Sequence, residues 1–230
     1  MCYTAETKSE LAKLKKRFLS DQTQEVARAE LDALVSGRFS GFEHPRLPVI
    51  TNAEPDRIQF LTWGLVPHWA TPDRVKDLMN QTLNARAESI FEKPSFKDAA
   101  RLRRCLILLD GFFEWQHRAG GKKQPYFIRR PDEEPFAVAG LWSEWTDRQT
   151  GEVLRTCSIV TTEANGLMSQ IHNTKKRMPL ILPREAERAW LANLPAVEVQ
   201  SLLVPLPDGE LIADEVAMVG TRGFEFVPAN

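Results

Sequence analysis

The sequence contains no long apolar run, few cysteines and almost no net charge. None of its apolar stretches approaches the roughly 20 residues that a membrane-spanning helix requires, so we expect no membrane association. The first six residues lack a basic region followed by an apolar stretch and therefore do not predict a secretory signal. A formal net charge of −1 gives no overall positive field to indicate nucleic acid, although clusters of basic residues leave a local groove possible.

Cysteine and histidine are both scarce, with three and four residues respectively. The cysteines form neither a metal-type spacing nor an even set for disulfides: they are Cys2, Cys105 and Cys157. The histidines show no His-x-x-x-His or glutamate-paired spacing. We therefore expect no metal and no cofactor, and a reduced, cytoplasmic protein. Cys105 and Cys157 lie in apolar, strand-like runs and are predicted to be buried packing residues.

Short β-rich segments punctuated by proline dominate the chain from His44 onwards. Strands are predicted at Val49–Thr51, Ile58–Val66, Leu106–Leu109, Tyr126–Arg129, Phe136–Trp142 and Leu154–Thr161, and helices at 9–19, Glu25–Leu34, Ser95–Arg104 and Arg184–Leu194. The polar turn at 147–151 predicts an antiparallel hairpin. Because strands and helices do not alternate regularly, we expect a single α+β domain over 1–230, with a mixed, mainly antiparallel, barrel-like sheet core flanked by helices.

Cys2 directly follows Met1, and this position gives it chemistry that an internal cysteine lacks. Removal of Met1 would leave a free α-amine and a thiol two carbons apart. Such a β-aminothiol condenses with an aldehyde to a Schiff base, and the thiol then closes a thiazolidine ring. The reference pKa values, roughly 8 for the amine and about 8.5 for the thiol, suit neutral pH. Considered alone, however, the position is more simply explained as an ordinary frayed terminus.

Three polar residues stand in apolar segments, and each has two interpretations. Asn84 is either a loop or cap residue or a fixed hydrogen-bond donor in a site. Glu114, between Phe113 and Trp115, either faces solvent by strand alternation or lies among aromatic rings. In the second case its pKa rises into the range of general acid–base catalysis. His172 precedes a basic loop and is either a satisfied histidine or a proton shuttle that titrates near neutrality.

Several stretches, in order along nearly the whole chain, resemble the SRAP family, the SOS response-associated peptidase-like proteins that act at abasic sites in DNA. The matching stretches are Met1-Cys2, Trp63-Gly64-Leu65-Val66-Pro67-His68-Trp69, Leu83-Asn84-Ala85-Arg86-Ala87-Glu88, Asp110-Gly111-Phe112-Phe113-Glu114-Trp115, Ile171-His172 and Arg177-Met178-Pro179. Each stretch is short, but the ordered set is specific. The resemblance implies an α+β fold with a barrel-like β core and a positively lined groove for single-stranded DNA.

The resemblance also implies a covalent mechanism. In the family, removal of the initiator methionine exposes the cysteine, which forms a thiazolidine crosslink with the ring-opened abasic sugar. Carried over by motif, Cys2 is the nucleophile and Asn84 orients the terminal amine or the forming ring. Glu114 moves protons during Schiff-base formation and ring closure, and His172 assists opening of the deoxyribose.

DNA contacts are implied in the same way for Arg86, Arg177, Trp69 and Pro45. The two arginines would hold phosphates, and Trp69 would stack on a base or wedge beside the gap, with core packing as the alternative. The chain departs from the family pattern at 41–45, where only Pro45 survives of a Tyr-Asn-x-Ala-Pro motif, and in a longer step between His172 and Arg177. The expected partner is single-stranded DNA containing an abasic site, bound by a monomer.

Functions from three classes fit these residues. The first, which we expect, is an abasic-site crosslinking enzyme with lyase-like chemistry in the DNA damage response, cytoplasmic and nucleoid-associated when acting on DNA. The second is a thiol peptidase with Cys2 as nucleophile, His172 as base and Asn84 or Glu114 as the orienting group. The third is a non-catalytic nucleic-acid module, whose binding would be salt-sensitive and indifferent to an abasic site.

Overall fold

The computed structural model describes residues 3–19, 37–219 and 223–226, so Cys2 and the helix predicted at Glu25–Leu34 lie outside the described residues. The strands are β1 (Thr4–Thr7), β2 (Gly37–Ser40), β3 (Arg46–Thr51), β4 (Glu54–Trp63), β5 (Asn84–Arg86), β6 (Arg104–Leu109), β7 (Gly111–His117), β8 (Lys123–Arg129), β9 (Phe136–Thr146), β10 (Val153–Glu163), β11 (Arg177–Pro179), β12 (Ile212–Val219) and β13 (Gly223–Phe226). The helices are α1 (Leu11–Phe18), α2 (Val75–Gln81), α3 (Lys97–Leu102), α4 (Gly166–Ile171), α5 (Arg184–Leu191) and α6 (Ala196–Ser201). Within these ranges, no helix has the length and apolar character needed to cross a membrane.

Five strands close into a barrel. β10 pairs in parallel with β4, and β4 pairs antiparallel with β3. The ring continues from β3 to β6, from β6 to β9 and from β9 back to β10, all antiparallel. The short strands β5 and β11 both pair with β10 beyond the ring. The barrel-like, mainly antiparallel core and the β9–β10 hairpin predicted from the sequence are confirmed.

A second sheet of six antiparallel strands has the order β13-β12-β8-β7-β1-β2. In this order the amino-terminal strand β1 is internal, because it pairs with β7 on one side and with β2 on the other. Thr4 lies opposite Phe113 in β7 and opposite Ser40 in β2. The described chain therefore begins inside a sheet, where both edges of its first strand are hydrogen-bonded.

Two hydrophobic cores hold the ring to the remaining elements. The first core combines ring residues such as Trp63 and Ile107 with Phe112 from the second sheet. The second core joins alternate ring residues such as Leu108 to helices α3 and α5, including the fully buried Trp190. Side chains alternate between the two faces of a strand, so each ring strand contributes to both cores.

The two internal cysteines are fully buried in the first core, as predicted. Burial raises the pKa of both the Cys105 and the Cys157 thiol, so neither forms a thiolate near neutral pH. These side chains act as small apolar packing groups.

Several predicted element ends were wrong, and in three places the cause is local. The helix predicted over Ser95–Arg104 ends at Leu102, because Arg104 is the first residue of β6. Its guanidinium turns back and donates to the carbonyl oxygens of Ala100 and Arg101. The strand predicted over Ile58–Val66 ends at Trp63, because Gly64 adopts a φ of 121°. The helix predicted to Leu194 ends at Leu191, and Ala192 is extended with φ −70° and ψ 155°.

Candidate functional site

Glu114 lies in β7 with its side chain turned toward the first core. Phe112 belongs to that core, whereas Phe113 packs with Phe127 in a separate cluster, so Glu114 shares a face with Phe112. Only 4% of Glu114 is exposed, which rules out the solvent-facing interpretation. Desolvation raises the pKa of Glu114 from its ordinary 4.5 to about 7, against a smaller lowering by a hydrogen bond from the Trp115 backbone. A carboxyl with this pKa can give and take protons near neutral pH.

The described chain starts next to Glu114. β1 runs antiparallel to β7 with Thr4 opposite Phe113, and extending this register by one residue sets Tyr3 opposite Glu114. The Tyr3 carbonyl accepts a hydrogen bond of 2.8 Å from the N–H of Gly41, and the Tyr3 side chain packs against the first core. The start of the described chain is thus held beside the buried carboxyl.

His172 directly follows α4 and is only 7% exposed. Its Nδ1 lies 2.8 Å from the carbonyl oxygen of Arg177 and 3.2 Å from the backbone nitrogen of the same residue. Nδ1 can therefore donate to the carbonyl in one tautomer or accept from the N–H in the other. Burial lowers the pKa of His172, so the ring is neutral at neutral pH.

Three hydrogen bonds tie the segment around His172 to the end of β7. The Gln116 side chain donates to a carbonyl in the last turn of α4 at 3.0 Å. The Asn173 side chain accepts from the N–H of His117 at 3.1 Å and donates to the carbonyl of His117 at 2.8 Å. Gln116 is two residues after Glu114 and shares its face of the strand, so these contacts place the segment that carries His172 against the half of β7 that follows Glu114.

Asn84 is the first residue of β5 and is buried, with 9% exposure. It is a strand residue, so the loop or cap interpretation of the sequence was wrong. It pairs in parallel with Ile159 of β10, which belongs to the first core, and paired residues face the same side of a sheet. The preceding carbonyl, that of Leu83, accepts a 2.8 Å hydrogen bond from the Trp63 indole, which fixes the entry to β5. Asn84 and Glu114 thus both face the first core.

Arg177 and Arg86, the predicted phosphate contacts, have different surroundings. Arg86 is exposed at the end of β5. The Arg177 guanidinium forms a two-pronged ion pair with Glu88, with 3.0 Å between Nη2 and Oε2, and Nη2 also donates to the Thr161 carbonyl at 2.6 Å. Partial burial opposes ionisation of Glu88, but the hydrogen bond and charge of Arg177 keep the pKa of Glu88 below its usual value.

Trp69 is 48% exposed, so the alternative that it packs in the core was wrong. It lines a cavity of about 220 Å³ together with residues such as Asp98 and Arg103. The lining of this cavity, within the described residues, includes none of Asn84, Glu114 and His172, so it is a separate feature of the surface.

Pro45 is half-buried just before β3, and its carbonyl accepts a 2.9 Å hydrogen bond from the N–H of Trp63. This hydrogen bond links the start of β3 to the end of β4, and the contact of Pro45 with DNA stays a prediction. Among the described residues, no group of three or more histidine, cysteine, aspartate and glutamate side chains is arranged to hold a metal ion.

Sequence reasoning assigned no role to Asn173 and Glu88, although Glu88 pairs with Arg177 and Asn173 joins the segment that carries His172 to His117 of β7. Glu88 belongs to a stretch that resembles the family, and Asn173 directly follows His172. Glu88 and Asn173 therefore lie close in sequence to predicted site residues. The residue that Glu88 contacts is 89 positions away along the chain, and the one that Asn173 contacts is 56 positions away. No local pattern predicts such contacts.

Comparisons with known proteins agree with this geometry. The family model of the SOS response associated peptidase (SRAP) matches residues 1–220. The chain is 38% identical over 173 residues to the abasic site processing protein YoaM of Bacillus subtilis, covering 74% of this chain and 73% of YoaM. It is 36% identical over 167 residues to the abasic site processing protein HMCES of Gallus gallus, covering 63% of this chain and 48% of that protein.

A solved crystal structure of a protein from Bacteroides thetaiotaomicron has the same fold, with a TM-score of 0.86 and 36% identity over 94% of this chain and 92% of that one. A second, from Bordetella bronchiseptica, has a TM-score of 0.79 and 25% identity over 94% of this chain and 100% of that one. The fold, the order of the matched stretches and the family model agree over almost the full length. The chain therefore belongs to the SOS response associated peptidase (SRAP) family.

Proposed function

We propose that this protein processes abasic sites in single-stranded DNA by forming a covalent thiazolidine crosslink between Cys2, after loss of Met1, and the ring-opened abasic sugar. The observation that carries the proposal is the buried Glu114, with a pKa of about 7, beside the start of the described chain. Cys2 directly precedes Tyr3, which the extended register sets opposite Glu114, so in this proposal the carboxyl serves the amine and thiol of Cys2. The names of the relatives YoaM and HMCES support an abasic site as the substrate.

The chemistry requires proton movement in both directions. The α-amine of Cys2 adds to the sugar aldehyde, and the resulting carbinolamine loses water to form a Schiff base. The thiol then adds to the imine carbon, and its proton passes to the nitrogen as the ring closes, so the net change is loss of one water. A neutral Glu114 would protonate the departing hydroxyl, and its carboxylate would then take the thiol proton. A pKa of about 7 suits both steps.

The other buried polar groups have complementary roles in the proposal. An abasic sugar is mainly a closed ring, and opening it removes a proton from the C1′ hydroxyl. His172 is neutral at neutral pH, and in the tautomer whose Nδ1–H donates to the Arg177 carbonyl, Nε2 carries no proton and would act as the base. Asn84, facing the same core, would orient the amine or the forming ring by hydrogen bonds.

DNA would be held by charge and by stacking. Arg86 and Arg177 would contact phosphates, which gives affinity without sequence readout. The exposed ring of Trp69 would stack on a base next to the lesion. Pro45 would contact the strand beside the site, and one protein copy would suffice for binding.

The test is the intact mass of the protein before and after incubation with a single-stranded oligonucleotide that carries one abasic site. We expect loss of Met1 and a mass gain equal to the oligonucleotide minus one water. Cys2→Ala and Cys2→Ser should give no adduct, and an oligonucleotide with a reduced abasic analogue, which has no aldehyde, serves as the substrate control. A normal adduct yield from Cys2→Ala would sink the proposal.

The same measurement separates the alternative functions. A protein that has lost Met1 but forms no adduct would favour a peptidase or a simple binding module. Salt-sensitive binding that is equal for intact and abasic strands would favour the binding module.

A further inference from the structure

The ion pair between Glu88 and Arg177 joins an exposed carboxylate to a buried guanidinium. The Glu88 side chain is 49% exposed, whereas that of Arg177 is 11% exposed. The Thr161 carbonyl holds the guanidinium from within, so the carboxylate covers its outward-facing donors. Nε of Arg177 has no hydrogen-bond partner among the described residues, so the guanidinium also retains an unused donor.

The surroundings of Glu88 are positively charged. Both Arg177 and Arg86 act on its carboxyl and favour the ionised form. Glu88 follows Arg86 by two residues, in the short 3₁₀ turn Ala87–Ser89 that ends β5. The three side chains together carry one net positive charge, and removal of the Glu88 charge would double it.

We propose that Glu88 occupies, in the free protein, the position that a DNA phosphodiester takes on Arg177, and that DNA binding exchanges the carboxylate for a phosphate. This inference rests on the proposed function and deepens it by locating a phosphate site. Planar two-pronged pairing with a guanidinium suits carboxylates and phosphates equally.

The exchange requires little free energy. Only the Glu88 side of the pair is half exposed, and water and salt can replace the contacts of a carboxylate there. Glu88 can turn its side chain into solvent while the Thr161 contact keeps the Arg177 guanidinium in place. If the ion pair is only structural, Glu88→Gln should not bind DNA more tightly than wild type. If Glu88 occupies a phosphate position, Glu88→Gln should bind DNA more tightly.

The experiment measures binding of a fluorescent, intact single-stranded oligonucleotide by anisotropy, at several salt concentrations. Without an aldehyde this strand forms no covalent adduct, so binding is read separately from crosslinking. We expect Glu88→Gln to bind about fivefold more tightly than wild type, which corresponds to an ion pair of about 1 kcal/mol. Glu198→Gln, on the exposed face of α6, makes the same change in net charge and should bind like wild type.

A double-mutant cycle links the effect to Arg177. Arg177→Gln should weaken binding, and adding Glu88→Gln to it should give no further gain. Unchanged or weaker binding by Glu88→Gln, with an unchanged melting temperature, would overturn the inference. An equal gain in the Arg177→Gln background, or no binding of the strand by wild type and Glu88→Gln alike, would also overturn it.

The outcomes separate this inference from the proposed function. If wild type forms no adduct with abasic DNA but Glu88→Gln still binds the intact strand more tightly, phosphate exchange holds and crosslinking fails. If wild type forms the adduct and Glu88→Gln shows no tighter binding, crosslinking holds and the exchange fails.

Discussion

Arg104 and Glu114 are both buried ionisable side chains, but their surroundings differ. Arg104, 1% exposed, donates from all three of its guanidinium nitrogens to backbone carbonyl oxygens, those of Ala100, Arg101, Trp190 and Ala192. These carbonyls lie at the carboxyl ends of α3 and α5, where helix dipoles place partial negative charge. Burial lowers the pKa of Arg104, yet a guanidinium stays charged at any working pH.

In Glu114, by contrast, desolvation disfavours the charged form, and this effect outweighs that of the groups that favour the charge. The difference shows two uses of a buried charge. A buried cation whose donors are met by fixed carbonyls joins two helices and stabilises the fold. A buried carboxyl that titrates near neutrality destabilises the fold when ionised, and such groups concentrate at functional sites.

Replacing Arg104 should have the largest effect on stability. Arg104→Met leaves four buried or partly buried carbonyl oxygens without their donor, and we expect a loss of about 4 kcal/mol in the free energy of unfolding. Urea unfolding monitored by tryptophan fluorescence measures this loss. Arg101→Met, on the exposed face of α3, is the matched control and should change stability by less than about 0.5 kcal/mol. A loss below about 1 kcal/mol for Arg104→Met would contradict the claim that Arg104 stabilises the fold by joining α3 and α5.

Glu114→Gln should instead increase stability, and the gain should depend on pH. The folded-state pKa of Glu114 is raised from 4.5 to about 7, so the folded protein binds the extra proton between these values. Wild type therefore loses stability as pH rises through this window, by up to about 3 kcal/mol at roughly 1.4 kcal/mol per pKa unit. Glu114→Gln does not titrate and should be more stable than wild type at pH 8 but similar at pH 4.5.

The same variant should be a poor catalyst. Without a titrating group at position 114, the rate of adduct formation with abasic DNA should fall about 100-fold. Gain in stability together with loss of rate is the signature of a functional buried charge. Equal stability differences between the two proteins at pH 4.5 and pH 8 would show that Glu114 does not titrate in this window.

The sequence predicted the five ring strands better than the strands outside the ring. Leu106–Leu109 and Phe136–Trp142 are short, continuous apolar runs, so their composition identifies them as strands. β1 and β5 are only four and three residues long and become strands because their neighbours pair with them. Such pairing depends on residues more than 70 positions away and has no local signature.

The site was predictable in its residue types but not in its arrangement. Glu114 was singled out for its position between two aromatic residues, and its burial is confirmed, although only the register of β7 shows that it faces inward. Arg177 was predicted to contact phosphate, which stays a prediction, and its carboxylate partner Glu88 comes from the stretch after β5. The sequence identifies candidate groups, whereas tertiary contacts decide which of them are exposed, paired or desolvated.

A smaller effect on stability and rate is expected from Asn173, which joins the segment that carries His172 to β7. Asn173→Ala removes both hydrogen bonds to the His117 backbone, so the segment carrying His172 is less firmly fixed to β7. We expect a stability loss of about 1.5 kcal/mol and an approximately tenfold slower adduct formation. The control is Asn52→Ala, whose side chain contacts the Leu102 carbonyl and the Trp142 indole, away from β7. It should lose similar stability without the loss of rate; equal loss of rate in both variants would assign the effect to general loosening.

The smallest effect on the folded protein should come from Trp69, which contrasts with the fully buried Trp190. The Trp190 indole donates to the Cys105 carbonyl at 3.0 Å and its ring fills the second core, whereas the Trp69 ring is half exposed to solvent. Trp69→Ala should therefore leave the free energy of unfolding within about 0.5 kcal/mol of wild type. It should weaken binding of intact single-stranded DNA about fivefold, as loss of one stacked base does. Leu102→Ala, which removes another exposed side chain from the same cavity, should leave binding unchanged. Equal weakening of DNA binding in both variants would mean that the cavity contributes apolar area rather than a stacking surface. The exposed ring of Trp69 would then contribute no more to binding than the exposed side chain of Leu102.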